Sequence, residues 1–133
     1  NASVLFRVLQ WPLERVRETY LTLPEGAFDR ALEAIDRAMQ PLAQAQTARP
    51  DGAPLHGALI RQEYLLTARL MRHACRRGLL AFETDPARSA ALRLELAQDM
   101  AEFIPLYRQA WLARNRPGGL EESAARLENL LPD

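Results

Sequence analysis

Apolar residues recur along most of this chain at intervals of three and four, the spacing that places them on one side of an α-helix. β-branched residues are scarce and no segment alternates cleanly with period two, so strands are not expected. The first segment, Ser3 to Leu21, carries Val4, Leu5, Val8, Leu9, Trp11, Val16 and Tyr20. Pro12 divides it into two short helices, because proline lacks the N–H that would continue the ladder. Leu23-Pro24-Glu25-Gly26 reads as a turn. A helix from Ala27 to Gln46 follows, with Phe28, Leu32, Ile35, Met39 and Leu42 forming one stripe. Within it, Glu33 and Arg37 form an outer i, i+4 pair, and Pro41 is a potential kink.

Thr47 to Pro54 is dense in turn formers and reads as the clearest loop. The next helix, Leu55 to Phe82, places apolar residues around more than one narrow stripe: Leu59, Ile60, Tyr64, Leu66, Leu70, Met71, Ala74, Cys75, Gly78 and Phe82. A helix apolar on several sides needs neighbours on several sides. Asp85 and Pro86 then supply an N-cap and a first helical residue. The stripe Leu92, Leu96, Met100, Phe103, Tyr107, Ala110, Trp111 and Arg114 runs on from there, with a bend expected at Pro105. Arg116-Pro117-Gly118-Gly119 stops this helix, and a short last one holds Leu120, Ala124, Leu127 and Leu131. The expected fold is all-α: an up-and-down antiparallel bundle of three long helices, with short helices at both ends.

At 133 residues, the chain is expected to form a single helical domain spanning 1–133. Asn1-Ala2 reads as a tag scar, so the chain is expected to be a C-terminal fragment of a longer protein. Apolar residues make up 48% and charged residues 26%, within the range of a folded globule. The formal net charge of zero argues against nucleic acid as a partner, since phosphate neutralisation requires concentrated basic charge. No apolar run reaches the roughly 20 residues of a bilayer span, which argues against a membrane partner. All the basic residues are arginine, consistent with codon bias in a GC-rich genome. Cys75 is the only cysteine, so no internal disulfide can form, and the compartment stays open.

Chemistry has little to work with. Ser3, Ser89, Ser123, His56, His73 and Cys75 are the sparse material for a nucleophile and base. His56 and His73 are expected at the surface, and Cys75 is expected to be a small buried hydrophobe. No Glu-x-x-His pairs, zinc spacings or phosphate loops occur, so no catalytic, cofactor-binding or metal residues are assigned and no cofactor is expected. Arg69, Arg72, Arg76 and Arg77 with His73 form the most basic stretch. It reads first as a solvated helix face and second as a site for an acidic partner surface or an anionic ligand. Glu63 falls among Leu59, Leu66 and Leu70, and Arg114 continues an apolar stripe, so each is expected to need a partner. The partner of Glu63 is expected to be Arg114, Arg116 or Arg77. Alternatively, Arg114 emerges at the end of the bundle to meet a neighbouring domain.

The most distinctive run is Trp111-Leu112-Ala113-Arg114-Asn115-Arg116-Pro117-Gly118-Gly119-Leu120-Glu121-Glu122-Ser123. It is a helix stop followed at once by a helix start, with Trp and Arg, typical contact residues, crowded at the corner. Extended to Leu127, the run from Trp111 resembles the C-terminal helical region of bacterial β-N-acetylhexosaminidase-like glycoside hydrolases of family twenty. The Leu23-Pro24 to Phe28-Asp29 and Glu63-Tyr64-Leu65-Leu66 to Leu70-Met71-Arg72 segments agree more loosely. In that family an adjacent Asp-Glu pair acts with the substrate's own acetamide. No Asp-Glu dipeptide occurs here, so the family's catalytic residues cannot be carried over. The resemblance implies a non-catalytic accessory domain. Its partner would be the catalytic domain of a parent glycoside hydrolase, with self-association into a homo-oligomer as a further possibility. Trp111, Arg114, Asn115 and Arg116 are its candidate interface residues, with Glu63 a structural polar group. The competing expectation is a free-standing helical interaction or dimerisation module.

Overall fold

Six helices form where the apolar spacing places them: α1 (Val4–Gln10), α2 (Leu13–Thr19), α3 (Ala27–Gln44), α4 (Gly57–Phe82), α5 (Pro86–Arg114) and α6 (Leu120–Glu128). The computed structural model describes residues 3–44 and 57–131, and no strand occurs among them. The Thr47 to Pro54 loop and His56 lie outside the described residues.

The helix ends follow local chemistry. The Ser3 hydroxyl accepts from the Phe6 N–H at 3.3 Å, and the Asp85 carboxylate accepts from the Arg88 N–H at 3.1 Å, so each satisfies an orphan donor at its helix N-terminus. Pro12 separates α1 from α2, whereas α3 and α5 run through Pro41 and Pro105. Gly119, with φ of 81°, takes the left-handed conformation that lets the chain leave the Pro117-Gly118 corner and enter α6.

The arrangement centres on α4. Helices α1, α2, α3 and α5 all pack on it, and α6 packs on α5. Two apolar clusters result. One joins Val8, Val16, Phe28, Ile35, Ala68, Cys75 and Ala81 from the first four helices. The other joins Met100, Phe103, Ile104, Leu127 and Leu130, with Leu66 and Leu70 of α4 packed against it. The many-sided apolar pattern of α4 thus meets neighbours on several sides, which is the position its sequence requires.

Candidate functional site

The polar residues of α4 do not form the surface expected of them. His73 is 1% exposed and Arg77 is 4% exposed. The expectation of a surface histidine and a solvated arginine face is corrected for these two residues: α4 has helices around it, so the less apolar side of its wheel is also covered. Arg77 donates to the backbone carbonyls of Val8 and, at 2.7 Å, Trp11, and so serves the open C-terminal end of α1. From the other direction, Arg17 of α2 donates to the Ala81 carbonyl at 2.5 Å.

His73 and Arg69 converge on Asp99 of α5. The Nδ1 of His73 lies 2.8 Å from one Asp99 oxygen, and Nε of Arg69 donates to the other at 2.7 Å. Arg69 also reaches the Asp99 carbonyl at 3.1 Å and Glu102 at 2.8 Å. Burial pushes the Asp99 carboxyl up, but the donors His73 and Arg69 outweigh it and hold the group below the usual carboxylate range. Arg69 in turn is raised: burial lowers it, and the bonds and charges of Asp99 and Glu102 overcome that. Arg72 pairs with Asp36 of α3 at 2.7 Å. The basic stretch is therefore largely engaged in holding α1, α3 and α5 to α4. The His73 Nε2 is enclosed and has no hydrogen-bond partner among the described residues. Cys75 is fully buried, and burial pushes its thiol up to about 11, so it stays protonated and unreactive at neutral pH.

Glu63 and Arg114 meet at 2.5 Å, with side chains 37% and 44% exposed. The pair stands at the rim of the α4–α5 contact, not in the core. Such half-solvated pairs contribute at most about 1 kcal/mol. The remaining candidate interface residues build their own corner. The indole N–H of Trp111 donates to the Arg116 carbonyl at 3.1 Å, and Asn115 returns to the Trp111 carbonyl through its backbone N–H at 2.8 Å and its side-chain amide at 3.2 Å. The Trp111 ring packs at 6.0 Å from Tyr107, and its far edge faces Gly119. These contacts account for Trp and Asn at the corner. The side chains of Arg116 and Arg114 remain open to solvent at its edge.

Sequence reasoning missed Arg108. Its guanidinium holds both oxygens of Glu121, at 2.6 and 3.0 Å, and Glu128 at 3.0 Å, tying α5 to α6. These hydrogen bonds raise Arg108 and lower Glu121. The signal available was Glu121 and Glu128 one helical face apart, but only the turn at Gly119 brings them to Arg108.

No group of His, Cys, Asp and Glu among the described residues has the geometry to hold a metal ion, and no described helix is long and apolar enough to cross a membrane. Fold and site together define an all-helical domain whose ionic groups tie its helices together. No family model, curated protein or solved structure matches the chain.

Proposed function

We propose that the chain is a helical accessory domain like the one that follows the barrel in family-twenty glycoside hydrolases, and that it packs on that barrel without itself performing catalysis. Its three long helices, taken as an up-and-down unit, supply the frame. The supporting observation is a contrast along α4. The charged groups Arg69, Arg72 and Arg77 are engaged by other helices of the domain. By contrast, Ile60, Tyr64 and Met71, spaced to fall on one line of α4, are 43%, 60% and 39% exposed. Beside them, Tyr64 shares a shallow groove of about 330 Å³ with Met39, Pro41 and Leu42 of α3. Exposed apolar side chains beside such a groove support a contact with another protein surface on this side of α4.

Two measurements test this reading. The chain alone is expected to release no nitrophenol from a nitrophenyl N-acetylglucosaminide, and release would overturn the non-catalytic role. In sedimentation the chain is expected to be a monomer whose Ile60→Glu/Tyr64→Arg variant keeps its helicity. In the full-length protein, the same variant is expected to free the domain from the barrel, read as faster proteolytic cleavage between them. A dimer that the double variant dissociates would instead assign the stripe to a second copy of the chain.

A further inference from the structure

At the other end of α4, the turn between α2 and α3 faces the α4–α5 corner across a half-open pocket of about 620 Å³. Leu23, Phe28, Leu79, Phe82 and Leu92 give it apolar walls, and the Phe28 and Phe82 rings lie 6.4 Å apart. Glu25, Asp29, Glu83 and Glu95 also line it, against Arg88 as the single basic residue among the described lining groups. Two of these charges are already engaged. Glu83 accepts from the backbone N–H groups of Thr84 and Asp85, both at 2.9 Å, and lies 3.3 Å from Arg88. Arg30, close by, donates to the Glu25 backbone carbonyl at 2.8 Å. The carboxylates of Glu25, Asp29 and Glu95 have no hydrogen-bond or ion-pair partner among the described residues. Tyr20 stands in the same wall with its hydroxyl enclosed and without a hydrogen-bond partner among the described residues, and Leu21 at the edge is 70% exposed.

Size and shape narrow the occupant. The volume falls in the range of about 300–1,000 Å³ typical of small-molecule sites. The walls come from the α2–α3 turn, the α4–α5 corner and the face of α5 that carries Arg88, Ala91, Leu92 and Glu95. Three unpaired carboxylates oppose an anion and leave a neutral molecule without a counterpart for them. We infer that this pocket binds a small organic cation with an apolar body, an arylalkyl amine by chemical class. The body lies against Leu79, Phe82 and Leu92, and the ammonium is held at the rim by Glu25, Asp29 and Glu95. The site is separate from the apolar stripe near the start of α4 and does not depend on the packing role proposed for it.

The test is an NMR titration of the chain with 4-phenylbutylamine, 4-phenylbutanol and 4-phenylbutanoate. The amine is expected to shift Leu23, Leu79 and Leu92 signals saturably and to bind at least about fivefold tighter than the alcohol, with the carboxylate weakest. In the Glu25→Gln/Asp29→Asn/Glu95→Gln variant, altered only at exposed positions, alcohol binding is expected to persist while the preference for the amine disappears. Equal binding of amine and alcohol, shifts that map elsewhere, or a variant that keeps the preference would each overturn the assignment. A blocked Leu-Arg-Leu peptide that shifts the same signals at tenfold lower concentration than the amine would also overturn it, in favour of a partner's basic side chain.

Discussion

At Gly78 the ring of Phe28 occupies the place a side chain would take: an added Cβ would lie 2.7 Å from its Cδ1, closer than real contacts allow. Glycine inside a helix costs about 1 kcal/mol relative to alanine, so close approach of α3 to α4 is the compensation. Gly78→Ala is therefore expected to destabilise by about 1–2 kcal/mol in urea melts, overpacking exceeding the gain in helix propensity. A gain in stability would show that Phe28 swings aside. Asp99 carries a pH signature. Its carboxyl is held below the unfolded value of about 3.9, so its contribution is complete above that value and is lost as pH falls through the lower, folded one. Asp99→Asn is expected to cost about 1–3 kcal/mol at pH 7, with the gap to the wild type narrowing below about pH 4. A gap independent of pH between 7 and 3 would contradict the His73–Asp99–Arg69 arrangement.

Among the elements, α1 and α2 are each seven residues long, too short to persist without tertiary support. Val8 and Val16 anchor them, and Arg77 and Arg17 close their ends onto α4. Arg77→Met keeps much of the apolar stem but strands the Val8 and Trp11 carbonyls, at a cost of roughly 1–3 kcal/mol. Hydrogen exchange is expected to quicken in α1 and α2 while Leu96 to Ile104 of α5 stay protected. Uniform acceleration would instead mean that these helices open only with the whole domain. The α5–α6 corner rests on different devices: Gly119 turns the chain, Trp111 closes the turn from inside, and Arg108 fastens the far side.

For the whole molecule, the helices among the described residues were legible from periodicity, and several of their ends from Pro12, Asp85, Pro86 and the Pro117 to Gly119 run, because capping and proline chemistry act within a turn of chain. The expected end at Gln46 and start at Leu55 lie outside the described residues. The breadth of the apolar face on α4 already implied several neighbours. Which helices these are was not legible: α1 and α2 pack on α4 across more than sixty residues of sequence, as the Arg77–Val8 separation of 69 shows, and no local pattern encodes such a pairing. The same limit explains the candidate site. Local spacing identified Glu63 and Arg114 as charges on apolar stripes, yet whether they lie in the core or at its rim depends on where each stripe ends against the next helix. Amino-acid order alone therefore determined the helices and the residues able to form their contacts. Only the tertiary arrangement decided that His73 and Arg77 lie inside and that Glu25, Asp29 and Glu95 line the same pocket as Leu79, Phe82 and Leu92, because burial belongs to the surrounding elements and not to the residue that experiences it.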